Sequence, residues 1–91
     1  MAYQLIVLPT AQADLEKLSA SVRESVIRRL EWLHLNATAI IRRRLQNMPD
    51  DLVGLCSLRM GDYRILYWHY AAKRIIKIYR VQHRSEGYRD L

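Results

Sequence analysis

Between Ser57 and Trp68 the chain reads SLRMGDYRILYW, two alternating runs around Gly61-Asp62. A Gly-Asp pair between such runs signals a tight β-hairpin. If the loop is those two residues, Met60 faces Tyr63 and Arg59 faces Arg64. Strand alternation then sorts the side chains. Cys56, Leu58, Ile65 and Tyr67 share one side and suit a core against helices. Ser57, Arg59, Arg64, Leu66 and Trp68 share the other, which is assigned to an open face. Leu66 and Trp68 are expected there to pack on a partner or on a tail. A one-residue slip would reverse every assignment. Like charges directly opposite each other destabilise a sheet, so the Arg59–Arg64 pair calls for a functional reason.

The hairpin belongs to a longer pattern. LVGLCSLR, YRILYWHY and RIIKIYRVQ follow one another as an antiparallel meander, with turns at Gly61-Asp62 and about Ala71-Ala72-Lys73. Upstream, AYQLIVL reads as a first strand that Pro9 ends, with Thr10 as the cap of a helix. Ala11, Leu15 and Leu18 give that helix its apolar spacing. Ser21 and Glu24 form an S-x-x-E capping box for a second helix, whose stripe is Val22, Val26, Leu30 and Leu33. The two helices form a hairpin. Residues 36–50 fit a helix end, a loop or a partial strand, and Pro49 marks a break. HRSEGYRDL is a short tail. The fold class is α+β: a single domain over 1–91, with an N-terminal strand, a two-helix hairpin, a three-stranded antiparallel meander and a C-terminal tail.

Composition narrows the function. Ninety-one residues, half of them apolar, make one domain rather than a disordered chain. No apolar run approaches a membrane span, and the N-terminus lacks the pattern of a secretory signal. The single Cys56 excludes an internal disulfide and fits a reducing cytoplasm; it reads as a core residue. No Cys/His spacing suits zinc, and neither metal nor other cofactor is expected. The net charge is +6, and twelve of the fifteen cations are arginine. Arginine's planar fork pairs with phosphate oxygens, so the charge favours a nucleic-acid partner. Trp68 reads as packing, Trp32 as core or interface.

The string LRMGDYRILYWHYAAKRIIKIYRVQHRSEGY resembles the C-terminal half of the RelE/ParE toxin superfamily. The resemblance lies in Leu58-Arg59, Gly61-Asp62-Tyr63-Arg64 with Tyr67, and Val81-x-His83-Arg84 followed by Tyr88. YQLIVLPTAQADLEKL and RLQNMPDDLVGLCSLR are similar to the family's first strand and helix and to its entry into the sheet. The resemblance implies a RelE-like fold and a toxin held inactive by an antitoxin. RelE-type members cleave mRNA in the ribosomal A site, whereas ParE-type members poison DNA gyrase. The RelE-type reading implies contact with the ribosome and mRNA, and with operator DNA only as the toxin–antitoxin complex.

Metal-independent RNA cleavage needs a base for the 2′-OH, cations for the phosphorane and an acid for the leaving 5′ oxygen. Arginine stabilises the phosphorane charge well, which would explain the Arg59–Arg64 pair. The resemblance carries over Arg64, Arg84 and Tyr88 as active-site positions, and His83 fits the family's His-Arg element. Tyr88 and His83 are the acid-base candidates, His83 having the better intrinsic pKa. Arg59 and the run Arg42, Arg43 and Arg44 are candidates for RNA contacts, the run also for an acidic antitoxin segment. One departure stands out: Leu55 and Ser57 occupy strand positions where well-known RelE-type toxins carry basic residues. The alternatives are a gyrase poison on the same scaffold and a catalytically degenerate antitoxin-binding module.

Overall fold

The computed structural model describes residues 3–40 and 43–86. Strand β1 (Gln4–Val7) leads into helices α1 (Pro9–Glu16) and α2 (Ala20–Leu35). Strands β2 (Cys56–Met60), β3 (Tyr63–Tyr70) and β4 (Ile75–His83) follow, flanked by 3-10 turns at Asp50–Leu52 and Arg84–Glu86. The sheet runs β1-β4-β3-β2. Its last three strands are the expected antiparallel meander, and β1 joins β4 in parallel. A parallel neighbour needs a crossover, which the helical hairpin supplies. Both helices therefore lie on one face, where Ala11, Leu15, Val26, Leu30 and Leu33 pack against Cys56, Ile65, Tyr67, Ile76, Ile78 and Val81.

Both helix starts differ from the expected ones. Helix α1 begins at Pro9, with Leu8 as a cap that makes no side-chain bond. Proline at the first helical position has the right φ and lacks only an N–H that would have no intrahelical partner. Thr10 does not cap; its hydroxyl donates to the Tyr79 carbonyl. In α2 the cap is Ser19, which accepts from the Val22 N–H at 3.4 Å. Ser21 and Glu24 lie inside the helix, and Glu24 instead pairs with Arg28 at 3.2 Å. Starting there lets Arg23 reach back to the carbonyls of Leu15, Leu18 and Glu16 at 2.8, 2.9 and 3.1 Å. One side chain thus satisfies the carbonyl end of α1, whose last turn has no helical donors of its own.

The hairpin has the register read from its turn, with Met60 opposite Tyr63 and Arg59 opposite Arg64. Gly61 alone of the two loop residues takes a left-handed φ, +57°. The open face is less open than expected. Residues 43–45 run beside β2, with Arg44 bridged to Cys56 and the Ser57 N–H donating to the Arg43 carbonyl at 2.9 Å. The partial-strand reading of this segment holds for those residues. The chain then folds over the sheet. Trp68 Nε1 donates to the Val53 carbonyl at 3.1 Å. Leu52, Leu55 and Leu66 are buried outside the main core. The chain's own segment before β2 thus packs on Trp68, where a partner or a tail was expected.

Strand β4 contains the feature that most affects the site. Tyr67 pairs with Ile78 but Leu66 pairs with Arg80, so Tyr79 is an extra residue. Such a bulge reverses the alternation beyond it. Ile76 and Ile78 face the helices before it, and Val81 does so after it. Strand β1 ends at Val7, and α1 takes over the exposed edge of β4. The Val81 N–H donates to Asp14 Oδ2 at 2.9 Å. Arg80 closes a two-point pair with the same carboxylate, at 2.8 and 3.2 Å. Both side chains are largely buried.

Candidate functional site

Arg59, Arg64 and Gln82 form one row across β2, β3 and β4, on the face away from the helices. Directly opposed side chains leave their Cα atoms with Cβ separations of about 4.5–5.5 Å. Two guanidinium groups so rooted can address the oxygens of a single phosphate. Arg59 is exposed and Arg64 half-buried. Arg59 Nε lies 3.4 Å from the Gly61 carbonyl, so this side chain leans toward the turn. Gln82 is only 1% exposed, and neither end of its amide has a hydrogen-bond partner.

Arg84 is not on the last strand but opens the 3-10 turn after it. Its N–H donates to the Asp62 carbonyl at 2.7 Å, and its Nε lies 3.5 Å from Asp62 Oδ1. The hairpin turn thus fastens Arg84 near the end of the Arg59–Arg64 row. Both members of that ion pair are mostly exposed, so it contributes little stability and leaves the guanidinium accessible.

His83 lies on the other side of its strand from Gln82. It pairs with Tyr63 in the row that also holds Met60, and Met60 and Tyr63 pack against the helix-side core. The bulge at Tyr79 therefore turns His83 to the face opposite Arg64. Its ring meets Tyr63 edge-on at 5.1 Å. Its Nδ1 accepts from the Ser85 N–H at 3.2 Å and lies 2.8 Å from Ser85 Oγ, so a neutral imidazole carries its proton on Nε2.

In the basic run, the Arg44–Cys56 bridge sets Arg43 beside Ser57 on the open side and Arg44 toward the other. Both are exposed. Arg42 and Tyr88 lie outside the described residues. Leu55 is fully buried, which accounts for an apolar residue at that departure; a charge there would have to be desolvated. Ser57 sits half-buried between the Arg43 and Leu66 positions.

Two residues of this region escaped the sequence reading. Gln82 stands beside Arg64 only because of the bulge, and its uncharged side chain drew no attention. Asp62 was read as a turn residue and as part of the Gly61-Asp62-Tyr63-Arg64 element, yet it also holds Arg84. Arg80 shares the outer side of the sheet with Arg64, but Asp14 engages it.

A strand, a helical hairpin and a three-stranded antiparallel meander in this order make the fold of a class of small toxins. The chain belongs to the RelE/ParE toxin family: the family model described as the ParE toxin of the type II toxin–antitoxin system parDE matches residues 5–88. The toxin RelE of Mycobacterium tuberculosis is 30% identical over 87 residues, covering 96% of this chain and 87% of the relative. Among solved structures, the RelBE2 toxin–antitoxin complex from M. tuberculosis is similar at TM-score 0.76 and 27% identity. That match covers 91% of this chain and 99% of the other. A mutant of the E. coli toxin RelE in the free state matches at TM-score 0.71 and 25% identity, over 96% and 88% of the two chains.

Proposed function

We propose that this protein is the toxin of a type II toxin–antitoxin pair and acts as a ribosome-dependent mRNA endonuclease. The observation that carries the proposal is the Arg59–Arg64 pair, two cations directly opposed on an outward sheet face. In this reading the ribose 2′-OH attacks the adjacent phosphate within the A-site codon. The 5′ oxygen leaves, and a 2′,3′-cyclic phosphate remains. Arg64 and Arg59 stabilise the charge that accumulates on the non-bridging oxygens, where positioned cations act most strongly. Arg84, held at the turn by Asp62, adds charge at the end of the row. Tyr88 and His83 are the candidates for proton transfer, His83 from the other side of its strand. Arg43 extends the basic surface toward the RNA backbone. The antitoxin is the partner that keeps the activity silent, as toxins of this fold occur in complexes with antitoxins.

The test is mapping of mRNA ends by primer extension in a translating extract, with wild type beside Arg64→Ala. Ribosome-dependent cuts inside codons that vanish in a folded variant support the reading. A second reading, gyrase poisoning, is favoured by the ParE description of the matching family model. It predicts DNA breaks with translation initially intact, and no mRNA cuts from a protein that still arrests growth.

A further inference from the structure

We propose that Gln82 reads a base of the bound RNA and so helps to select the codons that are cut; this rests on the endonuclease reading above. Gln82 stands directly beside Arg64 in the row that Arg59 completes, so its amide shares the outer face with both arginines. The side chain is 1% exposed, and neither its Oε1 nor its Nε2 has a hydrogen-bond partner. Glutamine is mostly an exposed residue. An enclosed amide without partners costs free energy that an apolar side chain of the same length would not. Other polar groups on this face are treated differently. Arg80, two residues earlier, is held by the Asp14 carboxylate at 2.8 and 3.2 Å. Trp68 Nε1 donates to the Val53 carbonyl at 3.1 Å. Gln82 instead keeps a donor and an acceptor that the folded chain leaves unused, beside the two cations of the site. A buried polar group left unpaired in this way calls for a role outside packing.

The two ends of the amide select what it meets. A carboxamide donates through nitrogen and accepts through oxygen. A phosphate has only acceptors, so it would satisfy Nε2 and leave Oε1 unpaired, and the charged arginines serve it better. A ribose hydroxyl meets one end at a time. A nucleobase edge sets a donor next to an acceptor and satisfies both ends together, as adenine does with glutamine. Single-stranded RNA presents such edges, because its bases splay out of the stack. Gln82 lies one strand over from Arg64, about 4.8 Å away. A nucleotide whose phosphate rests on the arginines therefore brings its sugar and base to that end of the row. The amide is enclosed in the free protein, so a base reaches it only after the surrounding side chains yield. A base that pairs with both ends offsets that opening, and one that pairs with neither does not. The amide thus acts as a filter on the bound sequence, while the arginines act on any phosphate.

The test compares wild type with Gln82→Met and Gln82→Leu, which fill similar space without a donor or acceptor. Single-round cleavage is measured in a translating extract on a message that samples many codons, and urea unfolding is measured on the same proteins. At least one variant is expected to unfold at a urea midpoint equal to or above that of wild type, because two unpartnered groups are gone. That variant is expected to cut about tenfold or more slowly at the codons wild type cuts best, and to lose less at the others, so that the spectrum of cuts flattens. A side chain that only fills space would leave rate and spectrum as they are. Unchanged rates and spectrum would therefore overturn the assignment. An equal fall at every codon would do so too, since it would move the effect from the base to the phosphate. Midpoints below wild type for both variants would show that the amide is bonded within the folded chain, and would also overturn it. A wild type that arrests growth without cutting mRNA defeats this assignment and the endonuclease reading together. Cutting by wild type with an indifferent Gln82→Met defeats this assignment alone.

Discussion

Asp14→Ala should be among the most damaging single changes in this protein. Asp14 accepts from the Val81 N–H at 2.9 Å and from Arg80 at 2.8 and 3.2 Å. The two side chains are only 10% and 17% exposed. Removing the carboxylate leaves a desolvated guanidinium, a loss of about 3–5 kcal/mol for breaking a buried pair. It also deprives the Val81 N–H of its acceptor, a group whose burial without one costs about 1–3 kcal/mol. These overlap and are not summed. A domain of this size has about 5–14 kcal/mol in all, so the variant loses a large share of its stability. The midpoint of thermal unfolding should fall by at least about 12 °C, at roughly 4–8 °C per kcal/mol. Urea unfolding followed by circular dichroism and tryptophan fluorescence measures the change directly. Asp14→Asn retains an acceptor for Val81 and should lose less. Asp14→Ala/Arg80→Met removes the desolvated guanidinium as well and should recover part of the loss. A cost below about 1 kcal/mol for Asp14→Ala, the range of exposed ion pairs, would refute the view that this contact holds α1 on the edge of β4.

Three further outcomes follow from the same geometry. Arg64→Ala should unfold like wild type yet lower the rate of mRNA cleavage by about 100-fold or more, the usual effect of losing a charge-stabilising group; single-round cleavage in a translating extract measures it. Gly61→Ala should cost about 1–2 kcal/mol, because φ is +57° although space is open around the new Cβ, and Gly61→Asn should cost less, as urea midpoints would show. Trp68→Phe should lose about 1 kcal/mol with the Nε1–Val53 hydrogen bond, and an unchanged urea midpoint would mean that this bond does not hold the segment over the sheet.

The local readings that succeeded rest on short-range geometry. A two-residue loop permits one register, so the opposition of Arg59 and Arg64 was legible from SLRMGDYRILYW alone. The stripe Val26, Leu30 and Leu33 was legible from helical spacing. Capping was less so, because several hydroxyl residues precede α2 and each can accept from an N–H. What selects Ser19 is the reach of Arg23 back to α1, a contact between elements.

The sequence by itself determined the hairpin register, the two helices, the α+β class and the arginines that face each other. Those depend on turn length and on periods of two and 3.6 residues, which neighbouring residues impose on one another. Tertiary structure decided the rest. One extra residue at Tyr79 turned Gln82 toward Arg64 and His83 away from it. Asp14, distant in sequence, engaged Arg80 because β1 is shorter than β4 and α1 had to satisfy the exposed edge. The segment before β2 covered Trp68 and buried Leu55. In each case the deciding interaction joins residues far apart in the chain, and burial of polar backbone and apolar surface selects which of them meet.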